Sequence, residues 1–283
     1  MVSPIFKTVL FLGFLTALFV GIGFYLGGRQ LGLIFFLISL ALNLGSYWFS
    51  ESIALAMTHA EVVTELQMPN LYDDVRSVCK FMDIPLPKIH VTPEGQANAF
   101  ATGRSPKHSS ICFTQGILHL LERDELKGVI AHELAHIKNR DVLISTIAAV
   151  LASGISAVAN VGHVVGFSQD GERDSNKSAS FLMVLIAPIL ALFLQMAISR
   201  QREFDADYDG AFYTKRPRDL ARALEKIESS VAVTPMEINP VLSTLFIENP
   251  FQNSKILSLL SSHPSAEERI ERLYLLERKL LSL

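Results

Sequence analysis

The sequence predicts a mainly helical membrane protein with a small β element, and three observations carry that reading. Four apolar blocks, each near the length of a bilayer span, contain no Asp, Glu, Lys or Arg. The segment 124–141 has Leu126, Val129, Ile130, Leu134 and Ile137 at helical spacing. Two short runs, Lys88 to Thr92 and Ser110 to Thr114, read as strands.

The blocks run from Thr8 to Leu26, Leu31 to Phe49, Val142 to Phe167 and Phe181 to Ile198. About 20 helical residues cross the roughly 30 Å hydrocarbon core, and a charge at its centre would cost on the order of 3 kcal/mol. The first block follows Lys7, as a signal peptide would, but it is too long for such an apolar region and no small-x-small cleavage site follows. Only Gly27, Gly28, Arg29 and Gln30 separate it from the second block, a linker suited to a helical hairpin. The third block is the weakest span. Its Ser153, Gly154, Ser156, Asn160 and His163 suit close helix packing, and the bland alternative is a buried helix of a soluble part.

Orientation follows from the basic residues. Arg76, Lys80, Lys88, Arg104, Lys107, Arg123, Lys127, Lys138 and Arg140 lie between the second and third blocks, and Arg200 and Arg202 open the tail. The hairpin linker has only Arg29, and 168–180 mixes Arg173 and Lys177 with acids. The positive-inside rule puts the large segments in the cytoplasm. The expected layout is a transmembrane hairpin (1–49), a cytoplasmic part (50–141), a second membrane hairpin (142–198) and a cytoplasmic C-terminal part (199–283).

Composition narrows the function classes. With 49% hydrophobic and 19% charged residues the chain is too apolar for a disordered protein, and a net charge of -3 gives no reason to expect a nucleic-acid partner. Cys79 and Cys112 form no zinc-ribbon or redox motif and are expected to be buried and reduced.

The chemistry lies in His132-Glu133-Leu134-Ala135-His136. Residues four apart on a helix share a face, so the two imidazoles can hold one zinc ion, with Glu133 placed to act on water as general base. With 8 His in 283 residues this pattern arises by chance only about 0.01 times, so two solvated histidines on a charged helix are the weaker reading. Asp124 is the expected N-cap of this helix. A zinc hydrolase needs a third protein ligand and an open position. Glu203 and Asp207, just after the fourth block, are four apart and share a face; spacing alone leaves open which binds metal and which orients a histidine. If the third and fourth blocks both span, or neither does, both halves of the site lie on one side.

Taken together, the apolar hairpin, HELAH, two further apolar blocks and Arg202-Glu203-Phe204-Asp205-Ala206-Asp207 make a chain that resembles the HtpX-type membrane zinc metalloproteases, relatives of the CAAX prenyl protease. Asn98-Ala99-Phe100-Ala101-Thr102-Gly103, Asn139 with Asp141, and His263-Pro264 before Glu267-Glu268-Arg269-Ile270 match as well. The resemblance implies a zincin-like (gluzincin) cytoplasmic domain, one Zn2+ per chain held by His132, His136 and Glu203, and Asp207, Asn139 and Asp141 in support. It suggests that Asn98, Ala99 and Phe100 form an edge strand that pairs with extended substrate. A simple hairpin with Gly103 in its turn is the alternative. His263 is a candidate oxyanion donor, although a His before proline more often caps or packs a helix, which is the reading we favour. The implied role is membrane-protein quality control at the cytoplasmic (inner) membrane, with the lipid bilayer and membrane-protein or misfolded-protein substrates as partners.

Three other classes compete. A zinc transporter would place its ligands near the bilayer midplane, whereas Lys138, Arg140, Arg200 and Arg202 flank these motifs. A site-2-type intramembrane protease would carry the motif inside an apolar span with a partnering LDG, which is absent. A silent scaffold would have no need of an intact HExxH.

Overall fold

The computed structural model describes residues 4–143, 145–147, 200–234, 236, 242, 245–248 and 264–281. Most of the third and fourth apolar blocks, and His263, lie outside the described residues.

The first element, α1 (Pro4–Met57), is a helical run that leaves helical geometry at Gly27 and Gly28. Gly28 has φ +64°, a conformation that favours glycine. The two arms fold back along each other. Asn43 Nδ2 donates to Thr16 Oγ1 (2.9 Å) and to the Leu12 carbonyl (3.3 Å), Ser39 Oγ reaches Thr16 Oγ1 at 3.1 Å, and Phe19 meets Phe35. Such bonds matter in lipid, where an unpaired amide or hydroxyl finds no water. Against the expected four spans, Gly27–Met57 is the one helix among the described residues long and apolar enough to cross a membrane; Leu12–Tyr25 is apolar but shorter.

At 1.5 Å per residue, 31 residues reach roughly 46 Å, about 16 Å more than a bilayer core. The surplus at the C-terminal end is built into the globular part. Ala54 and Leu55 pack with Phe100 and Cys112. Ser110 Oγ donates to Glu51 Oε1 and Thr92 Oγ1 to the Thr58 carbonyl, each at 2.7 Å.

Among the described residues four strands follow: β1 (Glu61–Val62), β2 (Lys88–Thr92), β3 (Ala99–Ser105) and β4 (His108–Thr114). They form one sheet in the order β1-β2-β4-β3, parallel between β2 and β4 and antiparallel elsewhere. The second expected strand therefore begins earlier, at His108, and the stretch between the two expected strands is itself β3, at one end of the sheet. Gly103 does not make the turn, which falls at Pro106 and Lys107. It sits at a register shift within β3 with φ +133°, where a Cβ would overlap the His108 carbonyl oxygen.

Among the described residues the further helices are α2 (Pro69–Met82), α3 (Gln115–Leu120), α4 (Arg123–Asn139), α5 (Arg200–Thr214), α6 (Pro217–Val233) and α7 (Ala266–Leu281). Strand alternation splits the sheet into two faces. Ile89, Ala99, Ala101, Ile111 and Phe113 join the large core around α4, while Phe100 and Cys112 face the end of α1. Helix α4 is buried on nearly every side, from Gly128 through Ala135. That is why its apolar stripe is filled out by Gly128, Ala131 and Ala135, which let α5 and α6 approach. Both cysteines are buried and free; burial pushes the Cys79 thiol up to about 12 and Cys112 up as well, so neither is a ready nucleophile.

Candidate metal centre

Helix α4 starts two residues earlier than expected: Glu122, not Asp124, is the N-cap. The Glu122 N–H donates to Glu125 Oε2 (2.9 Å), the reciprocal arm of a capping box, and Asp124 instead pairs with Arg216 from the first turn. At the other end Arg140 takes a left-handed conformation, and the Asp141 N–H donates to the His136 carbonyl at 3.0 Å. This cap turns the chain so that the Asp141 carboxylate faces the ring it has just passed, 3.4 Å from His136 Nδ1.

The i, i+4 spacing brings His132 Nε2 and His136 Nε2 to 3.2 Å, with the rings perpendicular. Helix α5 packs along α4 through the stripe Glu203, Asp207 and Gly210, at i, i+4 and i+7. A Cβ at Gly210 would lie 3.0 Å from the His132 backbone nitrogen, so the small residue sets how closely the helices meet. That approach leaves Glu203 Oε2 3.6 Å from His132 Nε2 and Oε1 3.7 Å from His136 Nε2. Ligand atoms of the three residues all lie within 4.8 Å of one another. A tetrahedral zinc ion with bonds of about 2.0–2.1 Å requires ligand atoms about 3.3 Å apart. The observed spacings fit that ion with small adjustments, and two imidazoles with a carboxylate are a donor set that zinc favours.

Asp207 addresses the other side of His132, with Oδ1 2.9 Å from Nδ1. Asn139 donates to Asp209 Oδ2 at 3.0 Å, tying the end of α4 to α5; no bond from it to either imidazole is seen among the described residues. Ala99 and Phe100 are fully buried on β3, and Asn98, just before it, is fully buried as well.

Burial dominates the electrostatics. Glu133 is 2% exposed, and loss of solvent raises its pKa, against the pull of the neighbouring His132 and His136. Burial would lower His136, but Glu203, Asp141 and Glu133 outweigh it and raise that imidazole to about 10. Burial would likewise raise Asp207, yet the Arg269 guanidinium and the His132 ring hold it at about 2.

Arg269 is the residue that sequence reasoning left without a role. Its side chain is completely buried. Nε and Nη2 donate to the two oxygens of Asp207 at 2.8 and 2.7 Å, Nη1 donates to the Ile247 carbonyl at 2.9 Å, and Nη2 lies 3.4 Å from the His132 ring. The available signal was periodicity: Ala266, Arg269 and Leu273 form one stripe of α7, so an arginine occupies an apolar face.

Residues 65–277 match Peptidase family M48. The chain belongs to this family. It is a metallopeptidase, a peptide-bond hydrolase. The M48 chain is 47% identical over 272 residues to "Protease HtpX homolog" of Pelotomaculum thermopropionicum, covering 94% of this chain and 97% of that one. It is 43% identical to the protein of the same name in Persephonella marina, covering 98% and 99%. Among solved structures, Ste24p of S. mikatae superimposes with a TM-score of 0.51 at 16% identity, over 92% of the M48 chain. The chain spans 62% of that structure, and the likeness concerns the fold alone.

Proposed function

We propose that this M48 chain is a membrane-bound, zinc-dependent endopeptidase whose ligands are His132, His136 and Glu203 and whose general base is Glu133. The observation that carries the proposal is the convergence of three ligand atoms, all within 4.8 Å, beside a buried carboxyl. When bound, zinc supplies electrophilic polarisation of the scissile carbonyl and acidifies water toward pKa ~7.

The chain's own residues do the rest. Asp207 fixes the His132 ring through Nδ1, leaving Nε2 for the metal, and Asp141 does the same for His136. Arg269 holds the Asp207 carboxylate in place with two charge-assisted bonds. Glu133 takes a proton from water and delivers it to the leaving amine; its raised pKa suits a group that must carry a proton between those steps. His263 is kept as a candidate oxyanion donor and Asn98, Ala99 and Phe100 as substrate-binding residues.

The finer reading has four spans, with the layout 1–49, 50–141, 142–198 and 199–283, in the cytoplasmic (inner) membrane. The catalytic part faces the cytoplasm and cuts membrane or misfolded proteins in quality control. The apolar reach of Gly27–Met57 and the basic segment between residues 50 and 141 support it. The test is proteolysis of a membrane-protein substrate by detergent-purified wild type and Glu133→Gln, with bound zinc quantified in both. Zinc in both, with turnover reduced by at least ~10²–10⁴ in the variant, is the expected outcome. Equal cleavage by the two proteins would remove Glu133 from the mechanism.

A further inference from the structure

The outer edge of β3 is paired by the chain itself. The Ile247 N–H donates to the Ala99 carbonyl at 2.9 Å. The Glu248 N–H donates to Asn98 Oδ1 at 3.3 Å, and Asn98 Nδ2 donates back to the Glu248 carbonyl at 2.8 Å. The Phe246 ring meets Phe100, with centroids 5.0 Å apart. Residue 246 thus lies beside 100, 247 beside 99 and 248 beside 98, an antiparallel order. Side chains alternate as they would in a strand: Phe246 joins the cluster at the end of α1, and Ile247 joins the core around α4.

This short stretch also ends at the metal centre. The Ile247 carbonyl accepts from Arg269 Nη1, and Nη2 of the same guanidinium lies 3.4 Å from the His132 ring. A peptide bound in extended form beside those ligands needs an open strand edge and partners for its own N–H and C=O groups. The Asn98 amide, the Ala99 carbonyl and Arg269 are such partners, and residues 247 and 248 already engage all three. The ligand side chains are themselves little exposed, His132 at 1%, Glu203 at 12% and His136 at 14%.

Resting on the peptidase reading, we infer that residues 245–248 are an autoinhibitory strap, a built-in competitor that an extended protein substrate displaces from β3. The apparent affinity for substrate is then reduced by the fraction of molecules in which the strap is released. A permanent fifth strand is the rival account, and the two differ in what happens to the strap when the cleft fills.

Hydrogen exchange on the full zinc-loaded chain in detergent reads this directly, with an apolar extended-peptide hydroxamate as the probe. Its binding is expected to unprotect the amides of Ile247 and Glu248 while those of Val129 and Ile130 in α4 stay slow. Phe246→Ala removes the ring contact and Ile247→Pro removes the strand donor. Each is expected to tighten probe binding by about fivefold or more and to raise kcat/KM through a lower KM. Strap amides that stay protected with the probe bound overturn the inference, and this arm needs no variant to fold. Folded, zinc-loaded variants with unchanged or weaker probe binding overturn it too. Deprotection by the probe in a wild type that cleaves no substrate leaves the strap standing and removes the peptidase reading instead.

Discussion

Arg269 and Asp207, 62 residues apart in sequence, form a bidentate pair with both side chains buried, and Asp207 passes that constraint to His132. Removing one partner of such a pair leaves an uncompensated buried charge, at about 3–5 kcal/mol. Arg269→Gln is expected to lose stability of that order and to weaken zinc binding about 10–100-fold. Arg269→Lys is expected to recover little, because an ammonium cannot span both oxygens. Thermal unfolding and zinc titration check the two effects separately.

The same pair sets an acid limit. Asp207 sits at about 2 in the folded chain, below about 3.9 for an unfolded aspartate. Its folded value is depressed, so its contribution is complete above about pH 4 and is lost as pH falls through 2. Roughly 2–3 kcal/mol is at stake. Acid unfolding of wild type and Asp207→Asn should show the wild-type advantage shrinking across that window.

Zinc binding has a pH dependence of its own. With His136 raised to about 10, the imidazole carries a proton that zinc must displace at neutral pH. The apparent Kd is therefore expected to weaken about tenfold for each unit of acidification between pH 8 and 6. A chelator-competition titration that gave a flat profile would contradict this.

Glu203 and Asp207 are separated by a simple assay. Glu203→Ala is expected to abolish stoichiometric zinc, whereas Asp207→Asn retains it with affinity lowered about 10–100-fold. Metal quantification after dialysis decides between them, and the opposite pattern would exchange their assignments.

Packing gives a prediction free of chemistry. A Cβ on Gly128 would sit 2.9 Å from both Cα and N of Leu220 on α6. The gain of about 1 kcal/mol in helix propensity from Gly128→Ala is outweighed by about 1–3 kcal/mol of overpacking. A lower unfolding temperature in detergent is expected, with zinc stoichiometry retained.

What the sequence by itself determined is whatever obeys a short period. The i, i+4 spacing of His132 and His136 is enough to put both rings on one face, because α-helix geometry is fixed. The apolar block Leu31 to Phe49 announces a membrane-length helix, although that helix runs on to Met57, and Lys88 to Thr92 is a strand with the expected bounds. Tertiary structure decided what depends on how helices and strands dock. Glu203 and Asp207 share a face of α5, and only its seating on α4 at Gly210 turns Glu203 toward the two Nε2 atoms and Asp207 toward Nδ1. The stripe of α7 marks Arg269 as an arginine on an apolar face but does not name Asp207 as its partner, 62 residues away, and the pairing of 246–248 with 98–100 has no local signature: the Asn98–Glu248 bond joins residues 150 apart. Contacts of that range are selected by the whole core closing at once, and no short-range periodicity in the sequence encodes them.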